Sequence, residues 1–476
     1  KDTRMVTSMR KSSSTAGLIL ALLFAIFAFQ LNASMLSPVL ATMEQELGTT
    51  TARIGLTQTA FFTAAALFSL ILPRWGDLVG RRKIMVAMVA VTAIGSIIAA
   101  LSVNVGMLFV ARVVQGVSGP IVPMALIMLR AQMNDDKKYA LWMAVLASVN
   151  GGIAGVDALA GGWLASAFGF RSVFWAMAAV AVLAVVFVLM GTEDTRGAQR
   201  LPMDWPGSAA LVVSLGTVLT AFNQLGKLGE ADFVLIAVLL VIGAAAFAAF
   251  WRIESTSSAP LVATHYLKQR RTWGLLATTT LTMTGVFAIM NGLIPNLAQS
   301  QTFAGLDAGT VSWVTLTPYA LAGLVFGPVA GRLAARYGYV TVLRGGMIVT
   351  VGGIVFSLLV VSVPTAGTLL IVSVWLGIAY AGVVNIMLNG LGVVLSPKDN
   401  AGYLPGMNSG AFNIGAGLSY ALLFAVNTAL ASGHGEAAGY RGGLVTAIVV
   451  VALALAASFL IPSPASVNKA EPAAKD

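Results

Sequence analysis

Apolar runs of about 20 residues, each long enough to cross a bilayer, recur along the whole chain. They lie near 17–43, 52–72, 84–102, 105–129, 140–167, 172–190, 207–225, 232–251, 273–298, 309–330, 340–362, 368–394, 402–430 and 442–461. Little else remains of the 476 residues, only 10% of which are charged; a soluble domain carries about 25%. The expected fold is therefore an all-α polytopic membrane protein with fourteen transmembrane helices. An outer-membrane barrel would show short alternating strands instead. With no Cys a disulfide scaffold is excluded. The first run, Gly17–Met43, is too long for a cleavable signal peptide and is followed by further spans.

The net charge of +10 invites a nucleic-acid reading until the charges are placed. With the N-terminus inside and loops alternating, 23 of the 28 Lys and Arg fall on the inner side. Only Arg53, Arg171, Lys227 and Arg441 fall outside, and Arg112 lies within a span. This asymmetry predicts a multi-pass protein of the cytoplasmic membrane with both termini inside. The basic excess is topological, and no nucleic-acid partner is expected. The bilayer, a small-molecule substrate and protons are the expected partners, and the protein is expected to be a monomer.

Two inner loops resemble one another: PRWGDLVGRR at 73–82 and GRLAARYGYV at 331–340. At an offset of 258 residues Gly80 pairs with Gly338 and Asp77 with Ala335. Each follows the second helix of a six-helix block, which predicts a 6 + 2 + 6 layout. The expected divisions are an inner tail at 1–16, a six-helix bundle at 17–191 and an inserted helix pair with linkers at 192–271. A second six-helix bundle at 272–461 and an inner tail at 462–476 complete the chain. Parallel halves around a central site are a common transporter plan.

The 73–83 stretch is similar to the loop signature of the major facilitator superfamily, through Asp77, Gly80, Arg81 and Arg82. LFVARVVQGVSG resembles the superfamily's fourth-helix signature through Arg112, Gln115, Gly116 and Gly119. The fourteen spans, DWPG at 204–207, RIESTSSAPL at 252–261 and GLDAGTVSWVTLTP at 305–318 resemble its drug:proton antiporter branch. The resemblance implies a major-facilitator fold working by alternating access. It also implies an inner gate in which Asp77, Gly80, Arg81 and Arg82 clasp the halves, with Arg332, Arg336 and Gly338 as a weaker counterpart. Two departures stand out. Asn32, in LNASMLSP, occupies the first-helix position that is usually acidic in the branch. Asp157 and Ala158 replace the Gly-Pro of the antiporter signature ahead of Gly161 and Gly162.

Asp157 is the only acid, and Arg112 the only base, well inside a span. An ionisable group in hydrocarbon costs several kcal/mol unless it has a partner or a wet cavity. Their depths differ by roughly 5 Å at 1.5 Å per residue, so a pairing between helices 4 and 5 is expected, with Asp157 as proton carrier. The alternative is a permanent structural ion pair. Candidate cavity residues are Gln30, Asn32, Gln58, Gln115, Asn150, Asn291, Asn385, Asn389 and Asn413, with Phe61, Phe287 and Tyr319 as walls. Such amides either join helices or face the pathway. Many amides and one acid favour neutral, zwitterionic or amphipathic cargo.

An enzyme is not expected, because nucleophile, base and metal ligands do not gather at one depth. Both histidines, His265 and His434, fall in loops. A phosphate-binding G-x-x-x-x-G-K-[ST] loop is also missing. No cofactor or metal is expected, and the proton gradient is the energy source. The leading expectation is export of drugs or metabolites by proton antiport. The alternatives are a proton symporter importing a polar metabolite, or a lipid translocator.

Overall fold

The computed structural model describes residues 15–133, 135–196, 202–225, 231–397 and 403–464. Side chains at 136–137, 139–141, 143–144, 147–154 and 223 are outside that description. The chain is all helical among these residues. The long helices are α1 (Thr15–Ser34), α2 (Thr51–Val79), α3 (Arg81–Ala100), α4 (Val105–Gln132), α5 (Asp136–Phe168), α6 (Phe170–Gly191) and α7 (Trp205–Leu225). They continue with α8 (Phe233–Thr256), α9 (Arg270–Gln299), α10 (Ala308–Tyr337), α11 (Tyr339–Ser362), α12 (Ala366–Val394), α13 (Tyr403–His434) and α14 (Glu436–Ser458). Thirteen of them are long and apolar enough to cross a membrane among the described residues; α5 is a further helix of 33 residues.

The first span is shorter than the apolar run that encodes it. α1 stops at Ser34, the chain turns through Met35–Val39, and a short helix follows over Leu40–Glu46. Pro38 lacks the N–H that a continuing helix needs. Elsewhere helices join through single glycines. Gly80 (φ 130°) links α2 to α3 and Gly338 (φ 85°) links α10 to α11. Gly169 (φ 79°) links α5 to α6 and Gly435 (φ 89°) links α13 to α14. A residue with a Cβ is strained in such a conformation, so the glycines that relate the two loops by sequence are the residues that make the turns.

α7 and α8 pack chiefly on each other and leave much of α8 exposed. Leu67 and Leu70 of α2 pack against a small apolar cluster that includes Leu211 of α7 and Phe250 of α8. The Arg74 guanidinium donates to the carbonyls of Pro202 (2.8 Å), Ala259 (2.7 Å) and Pro260, fastening the segments on both sides of the pair to α2.

On the face opposite the basic loops, called here the opposite face, three seams join α1–α6 to α9–α14. Ser312 Oγ of α10 donates to Ala158 O of α5 (2.9 Å), and Thr317 Oγ1 donates to Gly155 O (3.1 Å). Thr59 Oγ1 of α2 donates to Gly417 O of α13 (2.8 Å). Gln299 Nε2 of α9 donates to Pro38 O in the turn after α1 (2.9 Å). The α5–α10 seam depends on missing side chains: a Cβ on Gly162 would lie 2.5 Å from Ala308 O. Gly162→Val is therefore expected to hold this seam open. The chain has no Cys, so a Ser312→Cys probe, buried in the seam, can be labelled alone. Maleimide should react slowly with that probe by itself and rapidly once Gly162→Val is added.

Candidate transport site

Arg112 sits two turns into α4 with no solvent exposure. Its Nη2 donates to Asn32 O (2.9 Å) and Gln58 Oε1 (2.9 Å). Nη1 donates to Gln115 Oε1 (2.8 Å) and, more weakly, to Asn32 Oδ1 (3.4 Å). The guanidinium lies 4.2 Å from the centre of the Phe61 ring. Gln115 in turn donates to Ser96 Oγ (2.9 Å). A buried cation is tolerated when its N–H groups are bonded; here amides and a carbonyl serve Nη1 and Nη2 and a ring faces the guanidinium, with Nε alone left unbonded.

Asp157, 4% exposed, lies in α5. Ser34 Oγ of α1 donates to its Oδ2, and Oδ1 has no hydrogen-bond partner. The expected Arg112–Asp157 ion pair is not formed. The arginine's terminal Nη1 and Nη2 groups donate to α1, α2 and its own helix, while Nε has no hydrogen-bond partner, and the acid's hydrogen bond goes to α1. The depth estimate placed both groups at one level but carried no information on helix rotation. What joins them is the last turn of α1, where Asn32 serves Arg112 and Ser34 serves Asp157, two residues apart. Ser34 is the residue the sequence reading missed, although it stands in the LNASMLSP segment.

The turn after Ser34 carries this point across to α9. Ser37 Oγ donates to Asn291 Oδ1 (3.2 Å), and Asn291 Nδ2 donates to Phe287 O (2.9 Å). Asn291 lies in a π-helical segment, Ile289–Leu293, and Tyr420 of α13 donates to its carbonyl (2.9 Å). π-segments are frequent at functional positions. An aromatic cluster closes the space between the halves: Phe62 packs on Phe287 (5.2 Å between ring centres) and Tyr420 (6.3 Å), and Phe61 on Phe62 (5.1 Å). Tyr420, also missed, follows Asn413 by seven residues and so shares its helix face.

The other cavity candidates divide. Gln30 is half-buried and donates to Ser34 Oγ (3.0 Å), next to Asp157. Asn413 is 4% exposed, and its side chain makes no hydrogen bond among the described residues. Asn385 and Asn389 bond each other along α12 (3.0 Å), and Tyr319 packs in the α10–α12 seam against Gly377. No described contact joins these three to the arginine cluster. The Asn150 side chain lies outside the described residues.

The gate residues are present but not clasped. Arg81 Nε pairs with Asp77 Oδ1 of its own loop (2.7 Å), and Arg82 donates to Leu189 O of α6. Arg81 N donates to Thr195 O (2.8 Å), and Asp194 stands against Gly80. Arg332 and Arg336 are exposed; the latter stacks on Tyr337. Among the described residues no hydrogen bond or ion pair runs between the 73–82 and 331–340 loops, so both loops stay with their own halves.

A helical bundle with a polar centre between two halves defines a secondary transporter, and comparison with known proteins gives its family. The Major Facilitator Superfamily model matches residues 22–420, and the chain belongs to that superfamily. A uridine/deoxyuridine transporter of Lactococcus lactis subsp. cremoris is 54% identical over 466 residues, covering 96% of this chain and 97% of that protein. The multidrug transporter protein MdtP of Bacillus subtilis is 24% identical over 345 residues, 72% of this chain and 62% of that protein. The crystal structure of the nucleoside transporter NupG shares the fold, with a TM-score of 0.64 at 14% identity over 93% of this chain and 99% of that one. The chain is a transporter and not an enzyme.

Proposed function

We propose that the protein imports pyrimidine nucleosides, uridine and deoxyuridine, together with a proton across the cytoplasmic membrane. The observation that carries this reading is the 54% identity to a uridine/deoxyuridine transporter over 96% of the chain. Of the two main expectations from sequence, symport of a polar metabolite is thereby favoured over drug export. The scaffold is the fourteen-helix, 6 + 2 + 6 layout that the drug antiporter branch also uses, with α7 and α8 outside the pathway.

The chemistry of the centre suits a neutral cargo. The Asn413 amide has no side-chain partner and offers donor and acceptor together, as a uracil edge requires, beside the bonded amides of Gln30, Asn32, Gln58, Gln115 and Asn291. Phe61, Phe62, Phe287 and Tyr420 supply aromatic faces for the base. The positive-inside rule makes the basic face cytoplasmic, so the closed opposite face is the outer one and this conformation faces inward.

Asp157 binds the coupling proton, and the end of α1 reports it. Protonation turns the carboxylate from an acceptor of Ser34 into a group that can donate, which re-aims Ser34. Asn32, on the same helical turn, then shifts against Arg112, while the turn through Ser37 shifts against Asn291. One short stretch of backbone thus ties proton, arginine and outer seam together. Asp77, Arg81 and Arg82 meet the other half only after the inner side closes.

Cells lacking their own nucleoside uptake test the cargo. Expression is expected to give saturable uptake of tritiated uridine that deoxyuridine competes and ethidium does not. Ethidium extrusion without uridine uptake would support drug antiport instead.

A further inference from the structure

A polar cavity lies at the opposite face, away from the arginine cluster. Its volume is about 500 Å³, within the range of small-molecule sites. The short helix Leu40–Glu46 and the loop after it, the start of α2, the end of α9, α13 and α14 all contribute to it, so it spans both halves. Glu44 and Glu436 supply carboxylates, and Tyr440 supplies an aromatic wall. Thr51 Oγ1 donates to Glu44 (2.9 Å) and Ser300 Oγ to Glu436 (2.7 Å). Burial pushes the Glu44 carboxyl above its ordinary value against the opposing Thr51 bonds, and Glu436 adds to the rise.

Two lining amides lack partners. Asn296 is 4% exposed, and neither Nδ2 nor Oδ1 is hydrogen-bonded. Asn427, also 4% exposed, has an unpaired Nδ2. Leaving a buried polar group unsatisfied is destabilising, and one that lines a cavity calls for an occupant. A metal cation would satisfy the Asn296 oxygen and leave its N–H₂ unpaired. A ligand with a donor and an acceptor side by side satisfies both atoms, as the N3–H and adjacent carbonyl of uracil do. Sugar hydroxyls are natural donors to the two carboxylates.

We infer that this cavity is an outer nucleoside subsite: Asn296 and Asn427 read the base edge and Glu44 and Glu436 take the ribose hydroxyls before the substrate reaches the central site. The inference rests on the nucleoside reading above and on the orientation given there. A subsite on one face acts on transport from that face alone.

Uridine transport is therefore measured in right-side-out and in inside-out membrane vesicles carrying wild type, Asn296→Leu or Asn427→Ala, at matched protein levels. Each variant is expected to raise KM about tenfold in right-side-out vesicles, where uridine enters by the outer face. In inside-out vesicles KM should stay at the wild-type value. Equal shifts in both orientations, or no shift in either, would overturn the subsite while leaving nucleoside transport standing. Wild-type vesicles that carry no uridine at all would overturn the nucleoside reading, and the subsite with it. Asn427→Ala only shortens a side chain, so it carries the test if Asn296→Leu fails to fold.

Discussion

Replacing Asp157 with Asn is expected to abolish uridine accumulation driven by a pH gradient while sparing exchange of uridine for uridine. Asn is nearly isosteric and keeps an acceptor for Ser34, so packing at the α1–α5 contact is preserved. It cannot gain or lose a proton, and accumulation against a gradient needs that step. Proteoliposomes preloaded with unlabelled uridine measure exchange, and an imposed inside-alkaline gradient measures accumulation. Retention of full gradient-driven uptake in this variant would remove Asp157 from the coupling mechanism. Loss of both activities would assign it to structure.

The second large effect is expected at Arg112. Arg112→Lys keeps the charge but replaces a planar fork with a point donor, which cannot reach Asn32 O, Gln58 and Gln115 together. Losing two hydrogen bonds to a charged group costs about 3–6 kcal/mol, so thermal stability should fall along with transport, which drops by about two orders of magnitude or more. The geometry adds a sharper outcome. Because Arg112 and Asp157 do not pair, the double variant Arg112→Met with Asp157→Asn should be no better than Arg112→Met alone. Rescue by removing both charges would mean that the two groups meet in another state of the cycle.

The helices were legible because the bilayer leaves few alternatives. Each apolar run maps onto one long helix, and the glycines matched between the 73–82 and 331–340 loops prove to be the two turn residues, Gly80 and Gly338. α1 is the instructive exception. Hydropathy saw a single run over 17–43, but Pro38 interrupts the backbone ladder, and hydropathy does not register a missing N–H. That interruption matters, since it makes the turn that reaches Asn291 and Gln299.

The site was legible in kind but not in connection. Counting charges isolated Arg112 and Asp157, and both are buried. Sequence spacing fixes the depth of a residue along a helix but not the azimuth of one helix against another, so an ion pair and two separate contacts to α1 look alike. The drug-export expectation arose the same way, from features of the scaffold. Asn32 and Asp157, the positions that departed from the branch, both belong to the cluster around the end of α1: Asn32 accepts from Arg112, and Asp157 accepts from Ser34. The unpaired amide of Asn296 was invisible in sequence, because nothing in a run of apolar residues tells which polar group will find a partner.

The central claim, proton-coupled uptake of a nucleoside, is tested most directly by watching the proton. Uridine is added outside lightly buffered proteoliposomes that contain a pH-sensitive dye and have no imposed gradient. The account predicts that the lumen acidifies as uridine enters, and that Asp157→Asn vesicles give no acidification. Uridine entry with an unchanged lumen, or with alkalinisation, would contradict it.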